Sequence, residues 1–312
     1  MRQYLVAWLE SVTPSLAPNT RLSYAGRIKR LDPVIGKYKL STLSAMEIQR
    51  ALATLLQSYA PSNVRSCRGL LHRALADAVK WNILPRNPVD LASSPRVPKR
   101  PMQVFSEDEV RKLFDATTGD HYHTLWVLMA TTGLRLGEAT GLRWEDVDSR
   151  DKKLTVQSNL QRIRGQEMQS CETKNAYSRR VVHLAPSTLA LLKKHKAHQA
   201  EAKLSQGAEW ENTADLVFTT TRGTPIDPSN INKAWDRTLQ RLKLPPIRIH
   251  DMRHTAATVL LKRGVHPKKV QGMLGHASIR TTLDLYSHVM PAMHEEVAQH
   301  MEALFSAAEG VR

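Results

Sequence analysis

The chain has 312 residues, enough for one large domain or two ordinary ones, and 41% of them are hydrophobic. Lysine and arginine total 45 against 29 aspartate and glutamate residues, and the resulting net charge of +16 predicts a polyanionic partner. No apolar run approaches the ~20 residues of a membrane-spanning helix, and the N-terminus lacks the features of a signal peptide, so we expect a soluble cytoplasmic protein without a membrane partner.

Residues 1–90 have the pattern of a helical domain. Ser44 and Glu47 have the spacing of a capping box, and apolar residues at helical spacing follow them. Two further helices are predicted over about 19–31 and 62–82. The first of these has a basic face, which is equally compatible with a solvated surface and with a surface that binds DNA. That face consists of Arg21, Arg27, Lys29 and Arg30.

Residues 91–104 interrupt the helical pattern. The segment contains Pro95, Pro98 and Pro101 together with three basic residues. Proline removes an amide donor and restricts the residue before it, so the segment is expected to be extended. We interpret it as a linker between two domains that could also lie along DNA.

Residues 105–312 are predicted to form the second domain. Ser106 and Glu109 repeat the capping-box spacing, and Phe105 stands where a hydrophobic staple would. Strands are predicted over 154–157, 169–174, 180–184 and 216–219. The second and third of these would be joined by a turn near Asn175. Helices are predicted over 123–132, 187–203, 228–242, 250–263, 270–274, 278–286 and 292–307. The predicted fold class is therefore mainly α with a small antiparallel β-sheet.

A first candidate for chemistry is the pair Arg135 and Glu138. Arginine stays charged and presents a fork of donors that matches phosphate oxygens. Residues three apart share a helix face, so Glu138 could orient the Arg135 guanidinium. An ordinary surface ion pair has the same spacing, and this pair alone does not decide between the two interpretations.

A second group, His250, Arg253 and His254, stands at the predicted start of a helix. The free amides of a helix N-terminus attract phosphate, and imidazoles can shuttle protons near neutral pH. Histidines four apart also occur in zinc sites, but those need a third ligand and usually a glutamate base, and no His-Glu-x-x-His sequence is present. We therefore expect no metal ion or other cofactor, and we interpret His254 as a packing or supporting residue.

The third group consists of His276 and of Tyr286, ten positions later. A lone tyrosine is most often a half-buried packing residue, but a tyrosine can also act as a covalent nucleophile. Fixed cationic donors would stabilise the charge that develops on a phosphate under attack. Together the three groups predict an enzyme that attacks a phosphodiester with a tyrosine.

These residues resemble the motifs of the tyrosine recombinases, or phage integrase family. The motif pieces occur in the order and spacing of that family across about 105–288, and residues 1–90 resemble its core-binding domain. Each piece alone would be weak support, whereas the combination is specific. The pieces are Thr132-Gly133-Leu134-Arg135-Leu136-Gly137-Glu138, His250-Asp251-Met252-Arg253-His254, Leu274-Gly275-His276 and Tyr286-Ser287-His288.

The resemblance implies a role for each residue. Tyr286 would be the nucleophile. Arg135 and Arg253 would clamp the non-bridging oxygens of the scissile phosphate. His250 and His276 would complete the pocket and assist proton movement.

The resemblance also implies two supporting groups. Glu138 would take the acidic position of the family beside the first arginine. Lys174, at the predicted hairpin turn, would be the general acid for the leaving 5′-oxygen. Lys152 and Lys153 lie nearby in the sequence, and a solvated hairpin lysine is the plain alternative for Lys174.

The implied reaction is strand exchange in double-stranded DNA without ATP. A 3′-phosphotyrosyl bond would conserve the energy of the broken phosphodiester until another 5′-hydroxyl attacks it. The resemblance further implies a homo-tetramer on paired DNA sites, exchange through a Holliday junction, and integration or excision of a phage or mobile element. Accessory directionality or DNA-bending proteins are expected partners, and the bound protein would be nucleoid-associated.

Two rival functions share some of these features. A type IB topoisomerase has a similar site but recloses the same strand, and the spacing of the motifs favours the recombinase. A DNA-binding regulator that never cuts would share the charge and the helices without needing six site residues in register. Many integrases also carry an N-terminal domain that binds arm-type sites. Here residues 4–10 already resemble the start of the core-binding domain, and the sequence leaves open whether the natural chain carries such a domain before them.

Overall fold

The computed structural model describes residues 1–98, 102–163, 168–172 and 179–286, with the backbone alone for 169–172 and 286. Contacts within the chain divide it into two units, Met1–Pro101 and Met102–Arg312. The functional assignment of segments 1–90, 91–104 and 105–312 stays a prediction. Beyond Leu91, the described residues of the predicted linker contain neither helix nor strand.

The first unit is helical. Its elements are α1 (Arg2–Val12), α2 (Pro18–Ile35), α3 (Ala45–Leu56) and α4 (Pro61–Lys80), with 3-10 turns at Thr13–Ser15, Leu40–Thr42 and Pro88–Leu91. The capping box of Ser44 and Glu47 is confirmed at the start of α3. Trp8 of α1 is buried, and its indole Nε1 donates to Asp77 Oδ2 at 2.8 Å, which ties α1 to α4. The helices thus enclose one hydrophobic core.

Two helix ends in this unit differ from the prediction. Helix α2 runs through Pro33 to Ile35, past the predicted end at Leu31. Leu31 and Ile35 are both fully buried, so the burial of one more turn offsets the amide that proline lacks. Helix α4 ends at Lys80, and Asn82 follows with a positive φ of 57°, a conformation that asparagine tolerates at helix ends.

The second unit is mainly helical. Its helices are α5 (Glu107–Thr117), α6 (His123–Thr132), α7 (Leu136–Thr140), α8 (Pro186–Gln206), α9 (Pro228–Leu242), α10 (Asp251–Lys262), α11 (Pro267–Leu274) and α12 (Ile279–Tyr286). The capping box of Ser106 and Glu109 is confirmed, and Phe105, Trp126 and Trp235 form the aromatic centre of the core. The helix predicted over 292–307 lies outside the described residues. Within the described ranges, no helix is both long and apolar enough to cross a membrane.

The β-structure is antiparallel, as predicted, but its pairing differs. The strands are β1 (Val147–Asp148), β2 (Lys153–Val156), β3 (Ser158–Arg162), β4 (Met168–Glu172) and β5 (Arg180–His183), and they form the ladders β1–β2–β5 and β3–β4. The strands predicted over 169–174 and 180–184 correspond to β4 and β5, which belong to different ladders. The prediction that these two strands form a hairpin is therefore wrong. Strand β3 went unrecognised because its residues, Ser-Asn-Leu-Gln-Arg, include no β-branched or aromatic side chain. The predicted turn near Asn175 lies outside the described residues.

The strand predicted over 216–219 is also wrong. Leu216 and Thr219 each make one isolated bridge, to Arg143 and Pro225. The segment is buried, but side chains satisfy its carbonyl groups in place of a neighbouring strand: Gln199 Nε2 donates to the carbonyl oxygen of Leu216 at 3.1 Å. An apolar run shows burial without showing how the backbone is paired.

The turn between α6 and α7 determines where Arg135 lies. Gly133 ends α6 in the left-handed conformation, with φ +64°, which costs an ordinary L-residue about 1 kcal/mol or more. A Cβ atom at this position would lie 2.3 Å from Leu274 Cδ2 on α11. Glycine therefore permits both the sharp turn and the close approach of α11.

We expect Gly133→Ala to destabilise the second unit by roughly 2–4 kcal/mol, because it adds atomic overlap to backbone strain. Gly264→Ala is the matched control. Gly264 also has a positive φ of 75°, but among the described residues no heavy atom outside its chain neighbours lies within 4 Å of a Cβ there, so we expect strain alone, about 1 kcal/mol. Differential scanning calorimetry measures both variants, and equal shifts in unfolding temperature would contradict the close approach of α11.

Candidate active site

Arg135 and Glu138 form an ion pair at the start of α7. Arg135 is the residue before the helix, and its backbone amide donates to Glu138 Oε2 at 2.9 Å while its guanidinium Nη1 donates to Oε1 at 2.6 Å. The Arg135 side chain is 39% exposed and that of Glu138 only 3%. The carboxylate thus holds the guanidinium from the buried side, although the two residues do not share a helix face as predicted, because Arg135 precedes the helix.

A second arginine, Arg180 on β5, contacts the same carboxylate. Its Nη2 donates to Glu138 Oε2 at 2.8 Å and its Nη1 donates to Oε1 at 3.2 Å. Burial raises the pKa of Glu138, but the hydrogen bond and charge of Arg180 outweigh it, with help from Arg135, so the pKa lies below its usual value. Glu138 is therefore a carboxylate at neutral pH.

Arg253 lies on the first turn of α10 and is 1% exposed. Its Nη1 donates to the carbonyl oxygen of Gly133 at 2.7 Å, and its Nη2 donates to the carbonyl oxygen of Leu274. Burial and the nearby charge of Arg135 lower the pKa of Arg253 to about 9. The two arginines predicted to clamp a phosphate are thus electrostatically coupled, with Arg135 open to solvent and Arg253 beneath the surface.

His250 and His254 stand together at the start of α10. His250 is exposed at the helix N-cap, and the two rings are perpendicular with centroids 5.3 Å apart. Within the described part of the chain, the buried Nδ1 of His254 has no hydrogen-bond partner. Although His250 is exposed at its edge, both rings are partly removed from water, and this desolvation lowers the pKa of both residues, that of His254 to about 4. The positive charge of Arg253 adds to the effect. No group of three or more His, Cys, Asp or Glu side chains is placed to hold a metal ion among the described residues.

His276 is buried in the turn between α11 and α12. Its Nδ1 is 3.0 Å from Thr282 Oγ1, and Thr282 is itself fully buried on α12. Burial lowers the pKa of His276 to about 4, and the charges of Arg253 and Arg135 contribute. His276 is therefore neutral near pH 7, and its ring orientation is set by the helix that follows it.

Tyr286 is the last residue of α12, one helical turn after Thr282. Leu285 anchors this helix in a small apolar cluster with residues of α10 and α11, including Ala257 and Leu274. The side chain of Tyr286, and all of Lys174, lie outside what the structure describes. The structure therefore brings Arg135, Glu138, Arg253, His250 and His276 together around the turns that precede α7, α10 and α12.

The sequence interpretation missed Arg180 and Thr282. A signal for Arg180 was available: in β5, side chains alternate between faces, and Arg180 shares a face with the buried Val182. An arginine at a core-facing strand position needs a buried partner. Thr282 carries no such signal, because its hydrogen bond depends on how α12 packs.

We expect acid to destabilise the second unit through His254 and His276. Unfolded histidine titrates near pH 6.5, so between there and about pH 4 the unfolded chain binds protons that the folded chain excludes. The free energy of unfolding should therefore decrease as the pH is lowered through this window, by up to about 1.4 kcal/mol per pH unit for each histidine. Urea unfolding at pH 7, 6 and 5 measures how steeply the free energy of unfolding changes with pH. The change should be less steep for His276→Gln, because one of the two histidines is then absent. An equally steep change would contradict the lowered pKa of His276.

Two regions of the chain match family models. Residues 103–293 match the Phage integrase family, and residues 1–56 match the N-terminal SAM-like domain of phage integrases. A XerC-like tyrosine recombinase of Caldanaerobacter subterraneus subsp. tengcongensis is 32% identical over 320 aligned positions, which cover 96% of this chain and 81% of the relative. The integrase of Mycobacterium phage D29 is 26% identical over 310 positions, covering 97% of this chain and 78% of its own.

Solved integrase structures share the fold. An integrase of the transposon Tn1549, in complex with transposon right end DNA, has a TM-score of 0.80 at 17% identity, covering 94% of this chain and 98% of that one. A lambda integrase dimer bound to a COC′ core site has a TM-score of 0.67 at 18% identity, and the match covers 91% of this chain and 76% of the lambda integrase chain. The family match spans most of the chain, with the motif residues inside it. The chain therefore belongs to the phage integrase family and is a tyrosine recombinase, an enzyme of site-specific DNA recombination.

Proposed function

We propose that the chain cuts and rejoins double-stranded DNA through a covalent bond between Tyr286 and a 3′ phosphate, for the integration or excision of a phage or mobile element. The observation that carries this proposal is the cationic network of Arg135, Glu138, Arg180 and Arg253 beside the turn that leads into α12. One carboxylate faces three guanidiniums there, so the network has a surplus of positive charge that a phosphate would balance.

The two proposed clamp residues are suited to different parts of this task. Arg135 is partly exposed and can reach a phosphate directly. Arg253 uses one donor of each terminal nitrogen for a carbonyl group, and a guanidinium has five N–H donors in all. Arg253 therefore keeps donors that these bonds do not use, and its charge interacts with that of Arg135. In this proposal both arginines stabilise the charge that develops on the phosphate oxygens.

The proton steps fall to the remaining groups. The Tyr286 phenol gives its proton to a neutral base, for which His250 is the proposed acceptor, as its oxygen bonds to phosphorus and the bond to the 5′-oxygen breaks. Lys174 is the proposed general acid that protonates this leaving oxygen. His276 is neutral near pH 7, with Nδ1 held by Thr282, so it supports the phosphate as a hydrogen-bonding group and not as a further positive charge. His250, at the start of α10, would assist proton movement.

The proposed partners are duplex DNA and three further copies of the chain. Four protomers on two paired sites would exchange strands through a Holliday junction. A lambda integrase tetramer bound to a Holliday junction has a TM-score of 0.67 to this chain, and the charge of +16 supports a DNA partner. Accessory directionality or DNA-bending proteins complete the proposed assembly, which would act on DNA in the cytoplasm, associated with the nucleoid.

The test of this proposal is a covalent adduct. Nicked duplex fragments that cover the replicon encoding the chain are incubated with the protein, denatured with detergent, and the ends joined to protein are sequenced. We expect 3′ ends linked to Tyr286 at one recurrent sequence, because the nick lets the cleaved strand diffuse away and traps the intermediate. Tyr286→Phe should abolish the adduct, since it removes the nucleophilic oxygen, whereas Tyr59→Phe, the matched control at an exposed tyrosine of the first unit, should retain it.

The other outcomes identify the rival functions. Sequence-specific binding without any adduct would support a regulator that never cuts. An adduct with relaxation of supercoiled DNA, but without exchange between two copies of the site, would support a topoisomerase. Exchange between paired sites separates the recombinase from both.

A further inference from the structure

Arg180 is an arginine in the interior of the second unit that the proposed reaction does not use directly. Its side chain is 6% exposed. All three guanidinium nitrogen atoms donate: two to Glu138, and Nε to the carbonyl oxygen of Met273 at 2.7 Å. A buried guanidinium with this set of partners is held in one orientation, because a two-point contact with a carboxylate fixes its plane.

Through Glu138, Arg180 determines how Arg135 is held. The Glu138 carboxylate accepts from Arg180 on both oxygens, from the Arg135 guanidinium on Oε1, and from the Arg135 backbone amide on Oε2. Each oxygen is therefore shared between the two arginines. Without Arg180 the carboxylate would keep only its two hydrogen bonds to Arg135, so it would be held less firmly and its burial would be less compensated.

Through Met273, Arg180 also holds the turn that contains His276. The last carbonyl groups of a helix lack partners within the helix. In α11 two of them are satisfied by buried arginines, Met273 by Arg180 and Leu274 by Arg253. Cationic groups are also favoured at this negative end of the helix dipole. The residues that follow immediately are Gly275 and His276, so the two guanidiniums fix the start of that turn.

We propose that Arg180 is a positioning residue for DNA strand cleavage, which acts on Arg135 through the Glu138 carboxylate and on His276 through the Met273 carbonyl group. It does not contact the phosphate itself. This inference rests on the proposed function, because it assigns Arg135 and His276 to the phosphate. It predicts that the geometry of Arg180, and not its charge alone, determines the rate of the covalent step.

The test is a double-mutant cycle on a nicked duplex that carries the site mapped by the Tyr286 adduct. The four forms are the natural chain, Arg180→Lys, Glu138→Gln and the double variant. Lysine keeps the positive charge but loses the fork of donors. For each form, the single-turnover rate of covalent adduct formation at saturating protein is measured separately from the dissociation constant for the same DNA.

We expect Arg180→Lys to slow adduct formation by about 10- to 100-fold, since a displacement of about 1 Å at a reacting centre has effects of this size. The dissociation constant should change by less than about 3-fold, because Arg180 is buried and, in this proposal, does not contact DNA. In the Glu138→Gln background the same substitution should cost clearly less than in the natural chain, because the path to Arg135 is already broken and only the path through Met273 to His276 remains. Arg179→Lys, at the exposed neighbouring arginine, is the matched control and should form the adduct at the natural rate.

Three results would overturn the inference: an unchanged rate in Arg180→Lys, a loss confined to DNA affinity, or equal losses in both backgrounds. Thermal unfolding confirms that each form is folded at the assay temperature. If Arg180→Lys is not folded, the double variant with glutamine at both positions, which removes both members of the buried ion pair, is compared with Glu138→Gln alone under the same criteria. If the natural chain forms no adduct at all, the proposed function fails first and this inference fails with it.

Discussion

A single buried carboxylate, that of Glu138, organises the candidate site. Removing a carboxylate from water is costly unless opposite charge and hydrogen bonds replace the water. Here four N–H donors from Arg135 and Arg180 do so, and breaking a buried pair of this kind costs about 3–5 kcal/mol. The fold therefore has to bring β5 against α7, and the interaction that stabilises this contact also orients the exposed arginine.

The other electrostatic properties of the site result from the close placement of three positively charged arginines. Burial, together with the nearby charges of Arg135 and Arg180, lowers the pKa of Arg253 to about 9. The carbonyl groups of Gly133, Met273 and Leu274 accept hydrogen bonds from two of them and partly offset the repulsion. In the proposed function, a phosphate group offsets the remainder. His254 and His276 stay neutral in this setting, because their burial and the surrounding charge both disfavour the imidazolium.

Local patterns predicted the elements well where the interactions were themselves local. Both capping boxes, at Ser44 and at Ser106, join atoms three residues apart, and both were found as expected. Helix α9 has the bounds predicted from its periodicity. The errors lie where distant segments compete: strand β3 pairs with β4 despite a composition unlike that of a strand, and residues 216–219 are buried without joining a sheet. Pairing depends on which surfaces meet in the folded chain, and composition within one segment does not contain that information.

The sequence by itself determined the candidate residues Arg135, His250, Arg253, His276 and Tyr286, because their types and spacing follow a family pattern that is readable along the chain. It also determined the helical character of both units, since periodicity is a local property. Only the tertiary structure decided that Arg180 shares the carboxylate of Glu138, 42 positions away, and that Arg253 donates to Gly133, 120 positions away. These contacts exist because β5, α7, α10 and α11 pack together, and packing is a property of surfaces that no single segment carries.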